Sequence, residues 1–353
     1  MWLESLALGQ VRNVSHASLE GCTALNLLVG PNGSGKTSVL EAIHILSTGR
    51  SFRTPQWRHL IQRGQDQLWV TGQCGPHRLG LSKNLHQDPV VRLDGQSGRQ
   101  SELTRILPVM VFEPDSTGLL EQGSQPRRQM LDWLLFHVEL KFYPLWRQYQ
   151  RVLQQRNAAL KQPGAVGQLA VWDQQLVHLG EQIHGLREHH LGLWQTVFQP
   201  VMASLLPGLA VTLGYQPGFD PALRLAADLQ RHRASDLERG YTGVGIHRAS
   251  LSLKTPLGLA EHVWSRGQKK LLVLGLKLSQ LSLMDQQQQR CVVLLDDLEA
   301  ELDAQALSRI WQVLTATQSQ IFMTALGADR LLSSLDWPST PTVLHLKQGV
   351  LSR

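Results

Sequence analysis

The 353-residue chain carries 34 Lys and Arg against 28 Asp and Glu, a net charge of +6, and 42% of it is hydrophobic. That apolar content excludes an intrinsically disordered chain, and the length exceeds what one core usually organises, so two domains or lobes are expected. The small basic excess permits a nucleic-acid partner without establishing one.

In chain order, Trp2-Leu3-Glu4-Ser5-Leu6-Ala7-Leu8 reads as a first strand, and the apolar run Leu25, Leu27, Leu28, Val29 reads as a buried one. Gly30-Pro31-Asn32-Gly33-Ser34-Gly35-Lys36-Thr37 follows, a full G-x-x-x-x-G-K-[ST] phosphate-binding loop. Ser38 then opens a helical run. Strand, glycine-rich loop and helix N-terminus are what the chemistry needs: glycines let successive N–H groups turn toward a phosphate, and the helix end adds a favourable field. Lys36 is expected on the β/γ-phosphates and the Thr37 hydroxyl on Mg²⁺.

Gln67 to Thr71 and Val90 to Leu93 read as further strands, the second closed by an Asp94-Gly95 hairpin signal. From Arg127 to about Gln162, apolar residues recur at helical spacing, and Pro163-Gly164 breaks the pattern. A second helix is expected from about Ala170 to Phe198, ahead of Pro200 and Pro207-Gly208. Trp264-Ser265-Arg266-Gly267-Gln268-Lys269-Lys270 starts another helix, with Ser265 as N-cap and amides that can bind phosphate. The four glutamines Gln286 to Gln289 read as a solvated loop. Cys291-Val292-Val293-Leu294-Leu295-Asp296-Asp297 reads as a buried parallel strand ending in two acids. Asp296 is expected to hold Mg²⁺ with Thr37, and Asp297 to polarise the attacking water. Lys36 and Asp297 are thus the candidate catalytic residues, and Thr37 and Asp296 the candidate metal ligands. Gly30 to Ser38 are the candidate nucleotide contacts.

Cys22, Cys74 and Cys291 are widely spaced with no C-x-x-C pair, which favours neither zinc nor disulfides and suits a reducing compartment. No basic n-region precedes an apolar core at the N-terminus, and Leu271 to Met284 is too short to span a bilayer and contains Lys277. A soluble, cytoplasmic protein is expected.

The loop, S-R-G-Q, L-L-D-D and the following Glu301-Leu302-Asp303 resemble, in this order, an ATP-binding-cassette ATPase of the DNA-repair branch. Together with Gly49-Arg50-Ser51-Phe52-Arg53-Thr54, the stretch Gln125 to Asp132 and the hexamer Gln155-Arg156-Asn157-Ala158-Ala159-Leu160, they resemble the RecF family of bacterial recombination mediators. The resemblance implies an α/β fold: an ABC-type P-loop ATPase head with a mixed sheet, residues 1–115 and 236–353, and an inserted helical lobe, residues 116–235. It implies ATP and Mg²⁺ as cofactors and weak, DNA-stimulated hydrolysis. It implies an ATP-dependent homodimer in which Ser265, Gly267 and Gln268 of one copy cap the nucleotide of the other. The implied role is a clamp at gapped or single-strand–double-strand DNA that works with RecO- and RecR-type partners to load recombinase and supports replication and the SOS response. The alternative is an ATPase subunit of another system such as a transporter. A scaffold with a decayed site fits poorly with intact Lys36, Thr37, Asp296 and Asp297.

The chain departs from the family pattern at Ala300 (usually Ser), Ile246 (Pro), Ser250 (Asp) and Trp264 (Leu), and no switch His follows Gln320 to Ala325. The departures at Ala300 and Ser250 put fine details of the dimer contact in question. DNA candidates are Arg127, Arg128 and Arg53, with Arg50, Arg58, Arg63 and Arg156 behind them. Arg53 is equally a candidate nucleotide contact, and His247, Arg248 and Arg266 are candidates for bridging two heads.

Overall fold

The computed structural model describes residues 2–113, 118–162, 166–300 and 302–352, without the side chains of residues 166, 168, 300 and 330. The Pro163-Gly164 break, Glu301, the side chain of Ala300 and the expected head–lobe junction at 115/116 lie outside the described residues. The chain divides into two units, Met1–Ser116 with Met284–Arg353, and Thr117–Leu283.

The first unit opens with β1 (Leu3–Val11), β2 (Val14–Glu20), β3 (Leu25–Val29), α1 (Lys36–Thr48), β4 (Gln67–Cys74), β5 (His77–Asn84), β6 (Val90–Leu93), β7 (Gln96–Ser97), α2 (Gln100–Ile106) and β8 (Val109–Phe112). The second holds α3 (Gly118–Glu121), α4 (Ser124–Val138), α5 (Phe142–Leu160), α6 (Val166–Leu205), β9 (Thr212–Gln216), α7 (Arg224–Arg239), β10 (Ser250–Thr255), β11 (Gly258–Leu259), α8 (Ala260–Val263) and most of α9 (Arg266–Gln286). The first unit then resumes with β12 (Val292–Leu295), α10 (Ala304–Thr315), β13 (Gln320–Ala325), α11 (Ala328–Ser334), β14 (Thr342–Lys347) and β15 (Val350–Ser352).

Two six-stranded sheets build the first unit. One is antiparallel in the order β2-β1-β4-β5-β6-β7. The other runs β15-β14-β3-β13-β12-β8 and is parallel except for the β14–β15 hairpin. Strands β3, β12 and β13 are buried along their whole length, as expected of apolar-rich parallel strands covered on both faces, with Asn26, Gln320 and Thr324 the polar residues among them. Helix α1 is apolar around most of its circumference, and Val39, Leu40, Ala42, Ile43, Ile45 and Leu46 share one core with Leu6 and Leu68 of one sheet and Leu294 and Phe322 of the other. Gln320 ties the sheets together: its Oε1 accepts from the Leu3 amide at 2.8 Å and its Nε2 donates to the Leu3 carbonyl at 2.8 Å. The Asp94-Gly95 turn forms as expected, with both residues at positive φ (53° and 80°).

In the second unit, α5 and α6 pack against each other, and β9, β10 and β11 make a small antiparallel sheet. The helix expected to stop near Phe198 continues through Pro200 to Leu205. Proline sacrifices one helical hydrogen bond there, but Val201, Met202 and Leu205 are buried beyond it, and that packing carries the helix through. The boundary expected at 235/236 does not coincide with the division at Leu283/Met284. The reason is packing: β10 lies on α4 and β9 on α6, so residues 236–283 belong with the helices.

Candidate nucleotide site

Strand order brings the nucleotide motifs together. β13 lies between β3 and β12, so the carboxyl ends of β3 and β12, which carry the phosphate loop and the acid pair, flank the end of β13. Open α/β sheets bind ligands at that edge. The loop is shaped by its glycines. A Cβ on Gly30 would lie 2.3 Å from the Leu346 carbonyl oxygen and 2.7 Å from Ser34 Oγ. Gly35 caps α1 at φ 109°, a conformation costly to any side chain. The first turn of α1 contains no acid, and its amides have no carbonyl partner within the helix, so the helix end is a ready anion site.

Lys36 is buried along the loop, and its Nζ donates to the carbonyls of Gly30 (2.7 Å) and Pro31 (3.1 Å). Thr37 Oγ1 donates to Asp296 Oδ1 at 3.0 Å, joining residues 259 positions apart. Asp296 is 8% exposed, and burial raises its pKa above the ordinary carboxylate value. The Thr37 and Thr324 hydroxyls and the charge of Arg53 oppose that rise, while neighbouring Asp297 adds to it. Asp297 is half-buried at φ 47°, and its amide donates to Thr324 Oγ1 at 2.9 Å. A cavity of about 460 Å³ is lined by Asn32 to Ser38 of the loop together with Arg12, Asn13, Arg53 and Asp297.

The site fits a nucleoside triphosphate and a hard cation. Ser34 Oγ is buried without a hydrogen-bond partner at the centre of the loop. Thr37 and Asp296 offer oxygen donors alone, the set that suits Mg²⁺ shared with phosphate oxygens.

Four contributors escaped the sequence reading. Asn13 Nδ2 donates to the Gly33 carbonyl at 2.7 Å, and Asn13 Oδ1 accepts from Ser38 at 2.9 Å, bracing the loop from the β1–β2 turn. Arg12 pairs with the fully buried Glu41 of α1, with Arg12 Nη2 donating to Glu41 Oε1 at 2.8 Å. Thr324 is the fourth. None belongs to a spacing motif. The one visible signal was Glu41, a charge inside an otherwise apolar helix.

Arg53 is exposed and lines this cavity, beside the candidate nucleotide contacts. Arg127 and Arg128 are instead structural. Arg127 is buried in the second unit, where Nε donates to the Leu251 carbonyl (2.8 Å), Nη1 to the Leu120 carbonyl (2.9 Å), and Nη2 lies 3.5 Å from Glu261. Arg128 is half-buried and donates to the Ala249 carbonyl at 2.8 Å. Both guanidiniums fasten α4 to residues of and beside the small sheet, and Arg127, held by two carbonyls and Glu261, has little left to offer a phosphate backbone. Arg156 is fully buried and pairs with Asp173 (2.6 Å) and Asp236 (2.8 Å). His247 is held inside its unit by Tyr149 (2.8 Å) and the Thr242 carbonyl (3.1 Å). Arg50, Arg53, Arg58 and Arg63 remain exposed in the first unit, within a segment that has no acid between Glu41 and Asp66.

Ser265, Gly267 and Gln268 stand at the start of α9 in the second unit. Ser265 and Gly267 are exposed. The expected cap forms: the Gln268 amide reaches Ser265 Oγ at 3.4 Å, and the Ser265 amide donates to Gln268 Oε1 at 2.9 Å.

Residues 2–337 match the model of the RecF/RecN/SMC N terminal domain. The chain is 42% identical over 339 residues to the DNA replication and repair protein RecF of Acinetobacter baylyi, covering 95% of each. It is 36% identical over 358 residues to the protein of that name from Shewanella frigidimarina, covering 100% of this chain and 99% of the relative. Among solved structures, the recombination mediator protein RecF-ATP of the RecFOR pathway superposes with a TM-score of 0.86 at 22% identity, over 99% of this chain and 97% of the other. The Smc head bound to the C-winged helix domain of ScpA gives 0.62 at 15% identity, over 99% and 96%. The fold is thus that of an ABC-type P-loop ATPase, and the chain belongs to the RecF family of the RecF/RecN/SMC group.

Proposed function

We propose that this chain is an ATP-operated, DNA-binding clamp of recombinational repair. The observation that carries the reading is the Thr37–Asp296 hydrogen bond, which joins the phosphate loop to the acid pair in one oxygen-lined site. ATP supplies a cleavable phosphoanhydride and Mg²⁺ neutralises its charge when bound. Gly30 to Ser38 bind the phosphates through backbone amides, and Lys36 turns its ammonium from the loop carbonyls toward them. Thr37 and Asp296 hold Mg²⁺. Asp297 accepts the proton of the attacking water. A carboxylate one methylene shorter than Glu reaches less far toward that water, which suits slow turnover and a switch rather than a motor.

In the same reading, Ser265, Gly267 and Gln268 of a second copy close the site, and DNA stimulates hydrolysis. The exposed arginines Arg50, Arg58 and Arg63 are better placed for the DNA backbone than Arg127 or Arg128. RecO- and RecR-type proteins are the proposed partners at gapped DNA, in recombinase loading and SOS support. Family membership favours this role over a transporter ATPase. Among the described residues no helix is long and apolar enough to cross a membrane. The test is nucleotide affinity in Lys36→Ala and DNA affinity in Arg58→Ala/Arg63→Ala. Loss of Mg·ATP binding in the first and a shallower salt dependence of DNA binding in the second are expected; wild-type behaviour in both contradicts the reading.

A further inference from the structure

Thr324 is the one polar side chain in the run Ile321 to Ala325, and it is fully buried. A valine would fill the same space, so the hydroxyl needs an explanation of its own. Its oxygen accepts from the Asp297 amide at 2.9 Å. It then faces three acceptors: Asp296 Oδ1 at 3.1 Å, Asp297 Oδ1 at 3.3 Å and the Leu295 carbonyl at 3.5 Å. A hydroxyl has one proton and serves one acceptor at a time. Asp296 Oδ1 already receives the Thr37 hydroxyl at 3.0 Å. Asp297 is at φ 47°, a left-handed conformation uncommon outside glycine, though least costly for Asp and Asn, and the bond from its amide to Thr324 Oγ1 holds it there.

We propose that Thr324 is the positioning residue of the hydrolytic site: it holds the left-handed turn at Asp297 and aims that carboxylate by sharing its single proton between the two acids. The proposal rests on the hydrolytic reading given above. Whichever carboxylate has its other needs met releases the hydroxyl to its neighbour. An oxygen on Asp296 satisfied from elsewhere therefore turns Thr324 toward Asp297 and fixes the rotamer of the proton acceptor. Thr324 touches neither water nor phosphate in this scheme and acts only through the acids.

The experiment compares Thr324→Val and Thr324→Ser with wild type in Mg·ATP turnover, nucleotide affinity and nucleotide-free structure. Thr324→Val is expected to lower kcat about 10- to 100-fold, the usual effect of removing an outer hydrogen bond from a ligating carboxylate. Its nucleotide Kd is expected to stay within about threefold, because the phosphate loop is untouched, and Thr324→Ser is expected to keep kcat within about threefold. The nucleotide-free Thr324→Val structure is expected to show Asp297 out of the left-handed region. An unchanged kcat in Thr324→Val, an equal loss in Thr324→Ser, or an unmoved Asp297 overturns the proposal. Absence of turnover in the wild type would instead remove the hydrolytic reading on which it rests.

Discussion

Replacing Arg156 with Met separates a structural arginine from a DNA-binding one. The guanidinium donates to Asp173 Oδ1 (2.6 Å), Asp236 Oδ2 (2.8 Å) and Thr242 Oγ1 (2.7 Å). Asp173 is partly exposed and rehydrates when the partner is removed, so it adds little. Asp236 is fully buried, and among the described residues its carboxylate is left with the Gly243 amide at 2.8 Å. Stranding one charge of a buried pair costs about 3–5 kcal/mol. In a unit of this size each kcal/mol moves the melting temperature by about 2–4 °C, so a fall of roughly 6–20 °C is expected. Calorimetry or circular dichroism reads it, and Asp236→Asn in the same chain should recover part of the loss, because the two changes share one contact. A melting temperature within about 2 °C of wild type, with weakened DNA binding, would refute the reasoning and return Arg156 to the surface.

Other consequences are as specific. Burial pushes the Cys74 thiol up to about 12 and raises Cys291 as well, so a thiol reagent on the native protein should modify Cys22 first, as mass spectrometry of labelled peptides will show. Burial lowers His247 to about 4, below the ordinary imidazole value of about 6.5, and also lowers His190. His247 therefore stays neutral in the folded state down to about pH 4, so between the two values the unfolded chain binds more protons. Stability is then full above about pH 6.5 and declines as pH falls toward about 4, by on the order of 3 kcal/mol for His247; urea unfolding at a series of pH values measures it, and His247→Gln should flatten the slope. Gly30→Ala places a methyl against the Leu346 carbonyl and should abolish nucleotide binding in a titration, while Gly64→Ala, which meets open space but sits at φ 86°, costs about 1–2 kcal/mol in denaturant unfolding and leaves nucleotide binding intact.

The phosphate loop, its flanking strand and helix, the Asp94-Gly95 hairpin and the Ser265 cap were legible because each is fixed by neighbours in the chain. The arginines were not. Arg127 and Arg156 recur in phase with the apolar faces of their helices, Arg127 falling four residues before Leu131 and Arg156 between Leu153 and Leu160. That register was the available signal for burial, but their partners lie far along the chain: Leu251 is 124 positions from Arg127, and Asp236 is 80 from Arg156. Composition reads such residues as surface charge. Thr324 was hidden for the opposite reason: in a strand it looks like any β-branched residue, and only the pairing of β13 beside β12 sets its hydroxyl against the acids. Pro200 shows a local rule overridden by packing on both sides of it.

In the proposed clamp, ATP joins two copies and hydrolysis releases them. Light scattering with and without Mg·ATP and a gapped duplex, on wild type and Asp297→Asn, tests it most directly. The expected result is a monomer that becomes a dimer only with ATP and stays dimeric longer in the variant. A mass that ignores ATP in both proteins would contradict it.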